Sequence, residues 1–148
     1  MPKQSFLKTL FVLILVSILG IFSCKEYEQT PSAYEYEVHL DIEGESPKVG
    51  DQVFFHETTF LNGKEMFSTY PFGEKEIILP PAANLPRPLP PNYEILFTMS
   101  TGDSVTVWQS LKEVKNLPKG YTEKDMISYV IKLNKVVPAS QIIAEKKK

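Results

Sequence analysis

The chain has 148 residues, 16 Lys+Arg against 18 Asp+Glu, a formal net charge of −2 and one cysteine. An intrachain disulfide is therefore excluded, and the lack of a basic patch with interleaved aromatics argues against a nucleic-acid partner. The length suits one domain.

In chain order, the first 23 residues stand apart. Lys3 and Lys8 precede 9-TLFVLILVSILGIFS-23, an apolar run closed by small residues. This is the pattern of an export signal, shorter than the roughly 20 apolar residues that a spanning helix needs. An uncleaved N-terminal anchor is the alternative. Cleavage before Cys24 would leave residues 24–148 with 14 Lys+Arg against 18 Asp+Glu, a more acidic product.

Ile21-Phe22-Ser23-Cys24 resembles the lipobox of bacterial lipoproteins. The resemblance implies a diacylglyceryl thioether on Cys24 and an acylated amine, a membrane partner reached through lipid, and a place in the bacterial cell envelope. Lys25, where an aspartate would favour retention at the inner membrane, points to the outer membrane, on its periplasmic or surface face. A buried core cysteine is the alternative. Residues 24–33 are polar and patternless, which predicts a tether.

The folded part begins with 34-YEYEVHLDI-42, where Tyr34, Tyr36, Val38, Leu40 and Ile42 alternate with polar residues. That pattern predicts a half-buried strand. Val53–Leu61 reads as the next strand and Lys64–Thr69 as its return, because Asn62-Gly63 tolerates the positive φ of a two-residue hairpin loop. Ile77–Leu79 is a short strand. It runs into 80-PPAANLPRPLPP-91, whose six prolines cannot sustain a ladder and predict an extended loop. A helix of about two turns is predicted over 92–99, with Asn92 as N-cap and Tyr93, Leu96 and Phe97 on one face. Strands follow over 104–110 and 126–136, separated by the loop 111–125. Residues 138–148 form a tail in which Ile142-Ile143 suggests a helical turn. The predicted class is α+β: an antiparallel sheet of five to six strands wrapped around one short helix.

Several chemistries lack their motifs. His39 and His56 lie on different predicted strands with no acid at ligand spacing, so no metal is expected. There is no G-x-S-x-G elbow and no phosphate-binding glycine loop, and no cofactor is expected. Aromatic residues are what the domain has in abundance.

Four local patterns are shared with one family. They are Gly50-Asp51-x-Val53, Asn62-Gly63-Lys64 before Phe67-Ser68, Met99-Ser100-x-Gly102-Asp103-Ser104-Val105, and the closing Tyr129-Val130-Ile131-Lys132-Leu133. Over residues 48 to 137 the chain resembles the FKBP-type peptidyl-prolyl cis-trans isomerases. The likeness is to a divergent lipoprotein form found in Bacteroidota, with gliding-motility proteins among the relatives. The resemblance implies an FKBP-like domain over 34–137 and a dry aromatic pocket between helix and sheet. Such a pocket favours the twisted X-Pro amide of exported proteins without nucleophile or metal. It implies Tyr121 and Tyr129 as catalytic residues, and His56, Phe67, Leu79, Leu89 and Tyr93 as pocket lining. The chain departs from the family where Phe67 replaces an aspartate, His56 a tyrosine and Asn92 the tryptophan of the pocket floor. A catalytically degenerate binding module in an envelope or surface complex is the alternative function. Leu85-Pro86 and Leu89-Pro90 could fill the chain's own pocket, or the proline run could be a stiff spacer.

Overall fold

The computed structural model describes residues 27–81, 88–112 and 114–147. The export signal, Cys24 and Leu85-Pro86 lie outside them.

Among the described residues seven strands form one antiparallel sheet: β1 (Glu28–Gln29), β2 (Glu35–Leu40), β3 (Gln52–Leu61), β4 (Lys64–Ser68), β5 (Lys75–Ile78), β6 (Ser104–Ser110) and β7 (Met126–Val137). Their order is β1-β2-β6-β7-β3-β4, and β5 pairs with the first half of β3 while β4 pairs with the second. Rich in aromatic and β-branched residues, β3 and β7 suit a pleated, half-buried surface and run side by side from Gln52–Val137 to Leu61–Ile127. The hairpin turn forms as expected, with Asn62 at φ 50° and Gly63 at φ 80°. Asn62 also accepts the Met126 N–H through its side chain and donates to Asp125, which ties the turn to the start of β7.

Between β5 and β6 lie α1 (Pro91–Glu94) and a 3-10 turn (Ile95–Thr98). So short a helix is marginal in isolation; what holds it is burial. Ile95, Leu96 and Met99 join Val53, Phe55, Leu79, Val105, Val107, Ile131 and Leu133 in the core. Full burial of an aliphatic side chain of this size contributes about 1.5–3 kcal/mol. The N-cap differs from the sequence reading. Pro90 holds that place without a side-chain bond, Pro91 enters the first turn, where a missing N–H costs nothing, and the Asn92 amide turns inward.

Both ends of the domain are more ordered than expected, the helical turn suggested at Ile142-Ile143 being a seven-residue helix. Residues 139–145 form α2 (Ala139–Glu145), anchored where the Ala139 N–H meets Asp51 at 2.9 Å. The segment expected as a tether is docked from residue 27 on. Through β1 it adds a two-residue strand to β2, its Tyr27 ring meets Trp108 edge-on at 5.3 Å, and Thr30 is buried. The far end of the predicted 34–42 strand also differs. A register shift falls between Val38 and Leu40, and Val38, Leu40 and Ile42 are exposed.

Candidate functional site

Cross-strand register decides which side chains share the face under the helix. One row runs Phe67–Thr59–Tyr129–Val107–Tyr36, and the next runs Glu57–Ile131–Val105. On β3 the residues facing the helix are therefore Val53, Phe55, Glu57 and Thr59, because side chains alternate. Val53 and Phe55 are apolar and fully buried. Glu57 is not apolar, yet it is only 3% exposed.

Its carboxylate is fully engaged. Lys75 Nζ donates to Oε1 at 3.1 Å and Asn92 Nδ2 donates to Oε2 at 2.9 Å. The two aromatic rings nearest the ammonium are Phe55 and Tyr93, with centroids 5.7 and 5.4 Å away. The main chain here is pinned by buried Thr69, whose hydroxyl accepts the Glu57 N–H at 3.0 Å while its N–H donates to the Glu57 carbonyl. Among the described residues no buried side-chain nitrogen or oxygen lacks a hydrogen-bond partner. The network is closed.

Around it stand four tyrosines. Burial, then the charge of Glu57, then the Tyr34 and Tyr121 phenols, push the Tyr129 pKa up. Tyr34 is raised by burial and then by Glu94. Tyr34, Tyr93 and Tyr129 pack against the core, Tyr93 beside Lys75, and Tyr34 and Tyr121 lie within electrostatic reach of Tyr129. Glu94 takes its bonds from the Thr30 and Ser32 hydroxyls at 2.7 and 2.8 Å. Beside this cluster, an open groove of about 580 Å³ is lined by Tyr34, Trp108, Ser110, Lys112 and Met126, among others.

The residues proposed from the sequence are distributed unevenly. Tyr121 lies within electrostatic reach of Tyr129, Tyr93 lies against Lys75, and Leu79 and Leu89 are buried, Leu79 within the core beneath the helix. His56 does not join them. It pairs across the strand with Lys132, on the face away from the helix, stacks on Tyr70 at 4.1 Å and shares Thr69 Oγ1. Its neighbour Glu57 points inward instead. Phe67 sits at the sheet's outer edge, 47% exposed, its ring parallel to that of Phe72 at 6.2 Å. Glu57 and Lys75 were missed by sequence reasoning. The signal for Glu57 was present, since it shares the two-residue period of Val53 and Phe55. Among the described residues no group of three or more His, Cys, Asp or Glu could hold a metal ion.

Among solved structures the chain is similar to FkpA from Escherichia coli, at TM-score 0.61 and 20% identity. The fold is FKBP-like. The match covers 79% of this chain and 54% of FkpA, so the chain spans about half of that protein's length. No family model matches the chain, and no curated protein does either. An FKBP-like fold says where a cleft should lie but not what the cleft does. Here a carboxylate, an ammonium and an amide stand at the start of its helix.

Proposed function

We propose that the chain is a lipid-anchored FKBP-like binding module of the bacterial cell envelope that holds a segment of a partner protein without turning over prolyl bonds. The observation that carries this reading is the closed Glu57–Lys75–Asn92 network at the start of the helix, beside the apolar core. Prolyl isomerisation in such a fold needs an environment that favours the twisted amide, whose charge separation is reduced, and an apolar floor supplies it. A buried ion pair does the reverse, because it favours dipolar groups and carries a desolvation cost of its own. The four tyrosines and the adjoining groove still offer flat amphipathic surface of the kind that binds a chain segment. Anchoring follows from the lipobox-like Ile21–Cys24, with several acyl chains giving stable attachment.

A second reading, weak prolyl isomerase activity on exported proteins, is favoured by the partly buried Tyr129 with Tyr121 within its electrostatic reach. The deciding assay is cis-to-trans isomerisation of a Leu-Pro test peptide by the full chain, alongside Tyr121→Phe and Tyr129→Ala. The module reading expects no acceleration from the folded chain. Acceleration that falls in both variants would replace it with the isomerase.

A further inference from the structure

We propose that the Glu57 site is a receptor for an alkylammonium group, that Lys75 is its intramolecular occupant, and that the partner segment presents a lysine side chain to it. This rests on the binding-module reading and names the chemistry of its ligand.

The site has the parts that ammonium recognition requires. A buried carboxylate is oriented by the Asn92 amide on Oε2, which leaves Oε1 directed at the cation. The rings of Phe55 and Tyr93 offer their π-systems to that same cation. A charge-assisted bond plus aromatic faces is the usual way a protein holds an ammonium away from water.

Host and occupant differ in how firmly they are placed. The Glu57 side chain is 4% exposed on the long strand β3, whereas that of Lys75 is 32% exposed on the four-residue strand β5. Lys75 can swing into water, while Glu57 cannot. An external lysine entering as Lys75 leaves keeps the carboxylate paired throughout, so the exchange avoids the cost of a lone buried charge. Charge favours a cationic visitor as well. Glu94 adds a second carboxylate beside the tyrosines and is bonded to hydroxyls rather than to a cation.

The test uses the full chain, the variant Lys75→Ala, and n-butylammonium chloride as probe, with n-butanol as its neutral isostere. Butylammonium is expected to raise the Tm of Lys75→Ala saturably and to move the Tyr93 and Phe55 ring signals in NMR spectra; butanol should do neither. The unaltered chain should bind the probe about tenfold more weakly, since Lys75 must first vacate. Adding Glu57→Gln to Lys75→Ala should abolish the response. Equal responses to ammonium and alcohol, or none to either, would overturn the proposal. Should Lys75→Ala not fold, the unaltered chain decides: Tyr93 and Phe55 signals indifferent to butylammonium at concentrations that saturate no other site would overturn it too. If this fails while the chain shows no isomerase turnover, the module reading stands with a different ligand. Turnover would remove that reading itself.

Discussion

Removing one partner of the buried pair should hurt unequally, depending on which partner goes. In Lys75→Met the alkyl stem stays over Phe55 and Tyr93, but Glu57 keeps a charge whose side chain is only 4% exposed. Stranding a buried charge typically costs about 3–5 kcal/mol. The 32% exposure of Lys75 shows that water reaches the mouth of the site, which scales the expected loss to about 2–3 kcal/mol. In Glu57→Gln the volume is kept, an acceptor remains for the Asn92 amide, and the freed ammonium can turn to solvent. That loss should be about 1 kcal/mol, one ordinary net hydrogen bond, because the freed ammonium regains its hydration. Urea unfolding, followed by Trp108 fluorescence, measures both; at an m-value of about 1–3 kcal/mol/M the variants should separate by roughly 0.5–1 M in midpoint. The double variant should be less destabilised than Lys75→Met alone, with a coupling of at least about 1 kcal/mol. A Glu57→Gln loss equal to or larger than that of Lys75→Met, or additivity within about 0.5 kcal/mol, would refute the reasoning.

Other outcomes follow from the same geometry. Asp103 is buried and accepts the N–H groups of Ile42 and Ser100, both at 2.6 Å; Asp103→Asn turns a donor toward one of them and should cost about 2–3 kcal/mol in chemical denaturation. Tyr36 is held neutral by burial and by its bond to Glu28, with its pKa pushed up to about 12. Its contribution to stability is therefore complete below the ordinary value of 10.0 and lost as pH rises through about 12; a phenolate absorbance titration should show this tyrosine ionising last among those in the sheet, and earlier in Glu28→Gln. Asp125 shifts the other way, lowered first by the Asn62 amide and then by the Thr122 N–H. The stability it adds is present above the ordinary value of 3.8 and lost as pH falls through its lower folded value, so Asn62→Ala should flatten the acid limb of a stability-against-pH curve. Gly102 has φ +99°, and a Cβ there would meet Ile42 Cγ1 at 3.1 Å; Gly102→Ala should lower the Tm by an amount equivalent to about 1–3 kcal/mol.

Most of the sheet was legible because strand signals are local. Two-residue periodicity and an Asn-Gly turn placed the β3–β4 hairpin, and the apolar runs placed β6 and β7. What escaped depended on contacts far apart in sequence. β1 is a strand only because β2 offers it an edge, and α2 forms where Ala139 reaches Asp51, 88 positions away. The helix face was shifted because Asn92 was assigned to a cap, whereas its amide completes Glu57, 35 positions earlier. At the site, alignment by the hairpin turn put His56 in the pocket. The alternation Val53, Phe55, Glu57 would have chosen Glu57, and β3 keeps that alternation unbroken against β7 from Phe55 to Leu61. Lys75 carried no such signal, since one lysine in a charged stretch looks like solvated surface until β5 folds over the Tyr93 ring.

An ion pair stands at the start of the helix, beside the apolar core, and the Lys75 side-chain nitrogen reports on it directly. Heteronuclear NMR of the full chain with ¹⁵N-labelled lysine, near neutral pH, should show one ammonium whose protons exchange slowly enough to be seen, assigned to Lys75 and lost in Glu57→Gln. A Lys75 ammonium exchanging as fast as the surface lysines, unchanged by Glu57→Gln, would contradict the account.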